Sequence, residues 1–437
     1  TTIDMPLALR DKVQKALVDA FGPEYAAADP LLTAATKPEF GDYQCNAALP
    51  LAKQLKRKPR EVAESLRASL SVDELCEPVE IAGPGFLNFR LRRDLLSSEL
   101  RAMVLGGDSC GVPPAPTLQS IVVDYSSPNI AKEMHVGHLR STIIGDALAR
   151  VLELRGHKLL RLNHVGDWGP QFGMLITHMR EEAPEALAVS SDAAPLDISD
   201  LVELYKAAKA RFDADPAFQT ASRAEVVKLQ SGDAASTKAW RALCEQSEAA
   251  FSQVYASLGV DERLVTRGES FYNARLARVV DALDKAGLVE VSDGARCIFL
   301  DGYTNRDGER LPMIIQKSDG GFMYSTTDLA AIEQRAAEEG ADRVLYVTDA
   351  GQALHFEQVF QVARKGKLVA DDVSLEHVPF GLVQGEDGKK FKTRSGETVK
   401  LMDLLDEAVK RTKADMLTRF ESEGRQEDGT FVEETAK

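Results

Sequence analysis

The spacing of apolar and polar residues divides the 437-residue chain into a series of predicted helices and strands. In residues 1–115, apolar positions three or four apart predict amphipathic helices over 7–21 and 47–56. Two apolar runs between residues 79 and 91 flank a Gly-Pro-Gly turn, which predicts a pair of strands. These elements indicate a small α+β domain, and the proline-rich stretch 111–116 that follows it is a stiff linker.

Strand-like and helical patterns then alternate, which is typical of a parallel α/β sheet. We expect residues 116–185 to form its first half and 301–400 its second half. Residues 186–300 are mostly helical and charged, and we interpret them as a connective insertion, while 401–437 begin a helical stem. The predicted strands are 121–123, 159–162, 298–300, 311–315, 344–347 and 376–380, and the predicted helices of the sheet are 143–154, 328–339 and 355–364.

Composition sets limits on the class of protein. A hydrophobic content of 44% with 28% charged residues is ordinary for a soluble globular chain, and no apolar run reaches the ~18 residues that span a membrane. Five widely spaced cysteines predict free thiols in a reducing compartment. The net charge of −15 does not exclude a nucleic-acid partner, because one basic surface is enough. Residues 53–60 offer such a surface, or they are a solvated helix end.

The most informative motif is His135-Val-Gly-His138, which lies between the strand at 121–123 and the helix at 143–154. Backbone amides at a helix N-terminus attract phosphate, and Gly137 leaves room for a nucleotide against the chain. Histidines three positions apart can both face one side of the first helical turn. Zinc binding is rejected, because no second His or Cys pair is placed to complete a ligand set.

This tetrad resembles the "HIGH" signature of class I aminoacyl-tRNA synthetases, and the wider string SSPNIAKEMHVGHLRST resembles arginyl-tRNA synthetases. The resemblance implies a Rossmann-like class I synthetase catalytic domain with a helical insertion, preceded by a small α+β N-terminal domain that contacts tRNA. It implies activation of L-arginine with ATP and Mg²⁺ to arginyl-adenylate, and transfer of arginine to the 3′-terminal adenosine of tRNA(Arg). ATP-binding roles fall to His135, Gly137 and His138.

A second class I signature is expected at residues 385–397, a glycine-flanked segment rich in lysine (the Lys-rich loop). Its cations suit a departing pyrophosphate. Residues 391–395 align with the K-M-S-K-S pattern but place Arg394 where the second lysine belongs. The resemblance implies that Lys132 compensates for this change. We therefore expect Lys132 and Arg394 to bind the triphosphate together. The individual role of Lys392 stays open.

The substrate arginine needs carboxylate or carbonyl acceptors arranged around a planar guanidinium. Tyr324 and Asp328 are four residues apart at a loop-to-helix junction, so the phenol and the carboxylate can converge. Asp328 has a second interpretation as a simple helix N-cap. The resemblance assigns further contacts with arginine to Asp124, Asn129, His135 and Gln352.

The glycine-dense segment 163–173 also resembles the family and is expected to form one side of the active site. His164 in this segment is a weaker candidate for acid–base chemistry. No editing site is expected in the insertion. A pocket that satisfies a guanidinium leaves buried carboxylates unpaired when another amino acid enters, and such mismatches discriminate by ~10⁴–10⁵.

Two other classes of function were weighed. An NAD-dependent oxidoreductase fails, because the first strand-to-helix turn carries the histidine tetrad and not G-x-G-x-x-G. A binding module without turnover stays open, since the family needs tRNA for activation. No segment after residue 401 resembles the anticodon-binding domain, so we expect a fragment that lacks it. A cytoplasmic monomer is the expected state, with the plastid or the mitochondrial matrix as alternatives.

Overall fold

The computed structural model of the protein describes residues 3–182, 184, 198–305, 307–381 and 400–423. The chain divides into two compact units, residues 1–115 and 116–437. Each unit has its own hydrophobic core.

The first unit combines helices with a small antiparallel sheet. Its elements are α1 (Met5–Phe21), β1 (Leu32–Ala34), β2 (Tyr43–Cys45), α2 (Ala48–Leu55), α3 (Pro59–Ser69), β3 (Glu80–Ala82), β4 (Phe86–Phe89) and α4 (Arg93–Leu105). The strand order is β1-β2-β4-β3. Apolar residues of α1 and α3, with Leu87 and Phe89 of β4, form the core. The three-residue strands β1 and β2 were not predicted, because they are too short to show an alternating pattern.

The second unit contains the expected alternation of strands and helices. Its elements are β5 (Ser120–Asp124), α5 (Val136–Leu154), β6 (Lys158–Val165), α6 (Pro170–Glu182), α7 (Ile198–Ala214), α8 (Pro216–Gln230), α9 (Ala234–Ser257), β7 (Val265–Gly268), α10 (Asn273–Lys285), β8 (Val289–Ser292), β9 (Ala295–Thr304), β10 (Arg310–Gln316), α11 (Tyr324–Ala337), β11 (Arg343–Asp349), α12 (Ala353–Lys365), β12 (Ser374–Phe380) and α13 (Leu401–Ser422).

The main sheet of this unit has the order β12-β11-β5-β6-β7, and every pairing in it is parallel. The chain winds from β5 towards β7 on one side and returns from β11 to β12 on the other, which is the doubly wound arrangement. In such sheets, ligands bind beyond the carboxyl ends of the strands, where the winding reverses. That switch point lies between β5 and β11.

Helices cover both faces of the sheet, as the continuous apolar run in β5 requires. Ile121 and Val123 point to one face, where they pack with Ala149 of α5. Val122 points to the opposite face and packs with residues of α10, α11 and α12. Because successive side chains of a strand alternate between faces, three consecutive apolar residues bury β5 on both sides.

Two predictions about the strands were wrong. The strands expected at 298–300 and 311–315 lie in β9 and β10, which form an antiparallel sheet with β8 and not part of the parallel sheet. The connection between them is too short for the crossover that parallel strands need. Conversely, β7 belongs to the parallel sheet, although it falls inside the predicted insertion at 186–300. Its sequence, Val-Thr-Arg-Gly, has no apolar run to mark it as a sheet strand.

We expect the Leu66→Ala variant to lower the free energy of unfolding of the first unit by about 2–5 kcal/mol, because Leu66 is fully buried between α3 and the sheet. Leu100→Ala on α4 makes the same chemical change at a side chain that is 63% exposed, so its effect should stay below about 0.5 kcal/mol. Urea unfolding followed by hydrogen exchange of peptides from residues 1–115 measures both losses. Equal losses in the two variants would contradict the assigned core.

Candidate active site

The histidine tetrad caps the start of α5. His135 is the N-cap residue, and its Nδ1 accepts a hydrogen bond of 3.1 Å from the amide of Gly137. The Nδ1 of His138 accepts a bond of 3.0 Å from the amide of His135. The two rings stack with centroids 4.0 Å apart. Because both Nδ1 atoms accept, these bonds assign the proton of each neutral ring to Nε2, and this edge is the donor edge.

The glycine of the tetrad has a local structural cause. A Cβ atom at Gly137 would lie 2.8 Å from Cε1 of His135, closer than side chains pack. The space beside Gly137 that the sequence suggested for a nucleotide is therefore taken by the ring of His135. Any larger residue at this position would move the imidazole and break its bond with the helix N-terminus.

The loop between β5 and α5 lies against the end of β6. Asn129 forms an isolated parallel bridge with Gly166, in which the amide of Ile130 donates to the Gly166 carbonyl over 3.1 Å. The amide of Gly166 donates in turn to the carbonyl of Pro128 over 3.1 Å. A Cβ atom at Gly166 would approach Oδ1 of Asn129 to 2.3 Å. The segment 163–173 thus packs directly on the loop that carries Asn129.

Asp124 ends β5 and forms a buried ion pair. Its Oδ2 lies 2.8 Å from Nη2 of Arg335, whose side chain has no exposed surface, and its Oδ1 accepts a 3.2 Å bond from the hydroxyl of Ser127. The guanidinium also lies over the ring of Tyr346, 5.2 Å from the centroid. Sequence analysis did not identify Arg335. It follows Asp328 by seven positions on α11, two helical turns along the same face.

His164 lies beside this ion pair, and the structure favours a structural role for it. Its Nδ1 is 3.2 Å from Nη2 of Arg335 and 3.9 Å from Oδ2 of Asp124. Since a guanidinium can only donate, Nδ1 accepts and the proton of the neutral ring is on Nε2. Burial lowers the pKa of His164 more than the charge of Asp124 raises it. A neutral ring held in this way is not placed to exchange protons with a substrate.

Tyr324, Asp328 and His355 form a second group. Tyr324 is the first residue of α11, and Asp328 follows one turn later. Oδ2 of Asp328 lies 2.6 Å from Nε2 of His355 on α12, and the ring of Tyr324 is 5.1 Å from the same imidazole. The N-cap of α11 is Met323, so the alternative interpretation of Asp328 as an N-cap is wrong. Tyr324 and Asp328 therefore both contact His355, which the sequence did not predict as a member of this group.

The other predicted residues have different surroundings. Gln352 ends a short turn after β11 and donates to Oδ2 of Asp349 over 3.0 Å. Lys132 is exposed, with Nζ 5.3 Å from the ring centroid of Tyr205 on α7. Lys392 and Arg394 lie outside the described residues.

The described residues on either side of the Lys-rich loop both contact the start of α5. The carbonyl of Gly381 accepts a hydrogen bond from Nη1 of Arg140. After the loop, Nζ of Lys400 lies 2.7 Å from Oε1 of Glu133, and the amide of Leu401 donates to the Met134 carbonyl over 3.0 Å. Gly381, Lys400 and Leu401 therefore lie beside residues that immediately flank the histidine tetrad.

Glu269 is an acidic residue at the carboxyl edge of the parallel sheet, and sequence analysis missed it. It directly follows β7 and is partly buried. Burial raises its pKa to about 7, and the charges of Asp328 and Asp167 add to the shift. A carboxylate directly after a strand, here in the segment Gly-Glu-Ser, could have indicated a site residue. It was missed because β7 itself was not predicted.

Two family models match the chain. The model described as "tRNA synthetases class I (R), catalytic domain" matches residues 102–427, and the "Arginyl tRNA synthetase N terminal domain" model matches residues 7–91. The chain belongs to the arginyl-tRNA synthetase family. The resemblance of the histidine tetrad and its surroundings is thereby confirmed, as is the expected fold class.

Relatives of this synthetase are similar over almost its whole length. The arginine–tRNA ligases of Nostoc sp. (strain PCC 7120) and Picosynechococcus sp. (strain PCC 7002) are each 57% identical over 98% of this chain and 72% of their own length. The crystal structure of the arginyl-tRNA synthetase from Plasmodium falciparum has a TM-score of 0.74 and 30% identity, covering 100% of this chain and 73% of the other. The Thermus thermophilus enzyme, at 22% identity and a TM-score of 0.67, shows the same fold.

The thiols, candidate metal ligands and apolar helices of the chain bear on the expectations from the sequence. All five cysteines are free thiols. Among the described residues, no group of three or more His, Cys, Asp or Glu side chains is placed to hold a metal ion. Within the same residues, no helix has the length and apolar character needed to cross a membrane.

We expect His164 to stay neutral at pH values where an ordinary imidazole is half protonated, because burial lowers its pKa. A lowered pKa means that the unfolded chain takes up the proton first. His164 therefore contributes stability that is lost as the pH falls below about 6.5. Nitrogen–proton spectra of the histidine-labelled synthetase, titrated from about pH 7.5 to 5.5, measure the protonation of each ring. The spectrum of the His164→Asn variant assigns the signal among the seven histidines. Half-protonation of His164 near pH 6.5 would refute this description of the site.

Proposed function

We propose that this chain is an arginine–tRNA ligase that activates L-arginine with ATP and transfers it to the 3′-terminal adenosine of tRNA(Arg). One observation carries the proposal. The histidine tetrad at the start of α5 lies at the same carboxyl edge of the parallel sheet as Asp124, which ends β5 beside the switch point, and Glu269, which follows β7. A phosphate-binding element beside acidic groups matches a reaction between a triphosphate and a cationic amino acid.

Activation is an in-line attack of the arginine carboxylate on the α-phosphate, and pyrophosphate leaves. It needs no protein nucleophile, only alignment and stabilisation of the phosphoryl charge. His135 and His138 supply Nε2–H donors, and the N-terminus of α5 adds its partial positive charge. By resemblance, Lys132, Lys392 and Arg394 bind the triphosphate. For this role, Nζ of Lys132 would exchange its contact with Tyr205 for phosphate.

Recognition of the guanidinium falls to the acidic groups of the sheet edge. Asp328 holds His355 through one oxygen, and Tyr324 stands one turn before it. We add Glu269 to this set, because the charge of Asp328 acts on it. Asp124 is also proposed to contact the guanidinium, as the resemblance implies. Its oxygens already pair with Arg335 and Ser127, but each carboxylate oxygen has two lone pairs and can accept a second hydrogen bond.

Asn129 and Gln352 are proposed to fix the α-amino end of arginine. Both are exposed and follow β5 and β11, the two strands that flank the switch point. Residues from these two strand ends can reach the same ligand.

Mg²⁺ is proposed to reach the site with ATP. The described residues do not form a protein metal site, and Mg²⁺ is commonly held by substrate phosphates with few protein ligands. No step above depends on the ion.

The basic run at residues 53–60 is proposed to contact tRNA. It covers the end of α2, the turn and the start of α3, and its five cationic side chains are exposed. Exposed cations around a helix turn can pair with the phosphates of a nucleic acid. A cytoplasmic monomer is proposed as well, and the free thiols support a reducing compartment, which the plastid or mitochondrial matrix also provides.

Binding of arginine tests the proposal. We expect calorimetry with a non-hydrolysable ATP analogue to show binding of arginine and at least about tenfold weaker binding of citrulline and lysine, because only a guanidinium satisfies the paired acceptors. Asp328→Asn should weaken arginine binding about ten- to a hundredfold through loss of a charged acceptor. Asp281→Asn, the same change on the exposed face of α10, should leave it unchanged. Equal binding of arginine and citrulline would reject the proposed pocket. A second titration with tRNA present separates a pocket that needs tRNA from a wrong assignment.

The raised pKa of Glu269 predicts that binding of arginine is linked to a proton. A cation beside this carboxyl favours its ionised form, so arginine should bind more tightly as the pH rises through about 7, with release of a proton below that value. Glu269→Gln should abolish the release, measured as the dependence of the binding enthalpy on the ionisation enthalpy of the buffer. A raised pKa also means that stability is lost progressively as the pH rises from about 4.5 to about 7, so the variant should be stabilised relative to wild type more at pH 8 than at pH 5.5. Proton release that persists in Glu269→Gln would contradict the assignment of the proton to Glu269.

A further inference from the structure

The loop between β5 and α5 contains three strained residues. Ser126, Ser127 and Ala131 have φ angles of 73°, 51° and 58°, in the left-handed region that non-glycine residues rarely adopt. Such a conformation is unfavourable for a residue with a side chain and persists only where the surroundings hold it. The strain therefore points to the groups that hold this loop in place.

Side chains from three other elements bind the backbone amides of these residues. The amide of Ser126 donates to the hydroxyl of Ser141 on α5 over 2.9 Å. The amide of Ser127 donates to Oδ1 of Asn163 on β6 over 2.9 Å. The amide of Ala131 donates to the hydroxyl of Ser247 on α9 over 3.0 Å.

A chain of hydrogen bonds also links the side chains of this region. Nδ2 of Asn163 lies 2.9 Å from the phenol oxygen of Tyr255, which lies 2.8 Å from the hydroxyl oxygen of Ser126. The hydroxyl oxygen of Thr142 is 2.9 Å from that of Ser126 and 2.8 Å from the carbonyl oxygen of His138. The phenol of Tyr255 thus joins the end of β6 to the second histidine of the tetrad.

The direction of this chain is determined by its two ends. Oδ1 of Asn163 already accepts from the loop, so its Nδ2 must donate to Tyr255. At the other end, the carbonyl of His138 can only accept. Each hydroxyl has one proton, so Tyr255 donates to Ser126, Ser126 to Thr142, and Thr142 to His138. Removal of the Tyr255 hydroxyl breaks the first two links of the chain.

Tyr255 belongs to α9, one of the helices inserted between β6 and β7. Two other side chains of α9 hold the same region: Ser247 binds Ala131, and Nε1 of Trp240 donates to the Asp167 carbonyl over 2.7 Å. These residues are seven and eight positions apart, about two turns each, so they lie on one side of the helix. Burial raises the pKa of Tyr255 to about 12, which keeps its phenol protonated as the chain requires.

We propose that Tyr255 is a positioning residue for amino-acid activation: its hydroxyl holds Ser126 in the left-handed conformation and, through Thr142, fixes the turn that carries His138. This proposal rests on the proposed function of the chain. Tyr255 does not touch the reacting atoms in this account. Its effect is on the alignment of the tetrad, which matters most in the transition state.

The Tyr255→Phe variant removes only the hydroxyl. We expect kcat of tRNA-dependent ATP–pyrophosphate exchange to fall about ten- to a hundredfold, with less than about a threefold change in KM for arginine. The matched control is Tyr303→Phe, which also removes a hydrogen-bonded phenol, here the partner of Gln361 between β9 and α12. A purely structural role would lower Tm alone and leave kcat unchanged in both variants. A kcat within twofold of wild type, or an equal loss in Tyr303→Phe, would overturn the proposal.

Ser126→Ala breaks the same chain at the next hydroxyl and keeps the test valid if Tyr255→Phe does not fold. Its kcat should fall similarly, and the double variant should lose no more than the worse single variant, because both changes interrupt one unit. The imidazole nitrogen signals of His135 and His138 give a readout without turnover and should shift in both variants but not in Tyr303→Phe. Unchanged signals would reject the inference. Absence of arginine activation by the wild-type chain with tRNA would count against the proposed function instead.

Discussion

The buried ion pair between Asp124 and Arg335 is the interaction on which the arrangement of the site depends. A guanidinium without exposed surface must be paired, and loss of one partner of such a pair typically costs about 3–5 kcal/mol. Asp124 ends the strand that leads to the histidine tetrad, and Arg335 lies on the helix that begins with Tyr324 and Asp328. The pair therefore links strand β5, which leads to the histidine tetrad, to helix α11, which carries Asp328.

This pair also sets the electrostatic balance of the sheet edge. Arg335 compensates the charge of Asp124, and His164 is kept neutral beside them, so Asp124 can still accept a hydrogen bond from a guanidinium but adds no net negative charge to the site. Asp328 pairs with the imidazole of His355 among the described residues, and burial together with the charges of Asp328 and Asp167 raises the pKa of Glu269. A cationic side chain is the ligand that relieves this accumulation of acidic groups. The preference for arginine in our proposal thus follows from which carboxylates already have an internal cation.

Sequence patterns predicted the long helices, strands β5, β6, β11 and β12 of the parallel sheet, and the position of the histidine tetrad, because these elements have clear periodicity or a specific motif. They failed where the signal was weak. β7 has no apolar run, and its loss also hid Glu269; the hairpin of β9 and β10 was assigned to the wrong sheet. Arg335 could not be predicted as a partner of Asp124, because a residue 211 positions away in sequence is paired only by the tertiary fold.

The helical insertion has a structural use that a purely catalytic view of the sheet does not require. A strained loop between β5 and α5 is stable only if groups outside the loop hold it, and β6 and α5 provide Asn163 and Ser141. Helix α9 provides the remaining contacts through Ser247 and Tyr255. An insertion that binds the loop at separate points can transmit its own displacement to the tetrad, since the hydrogen-bond chain ends at the carbonyl of His138.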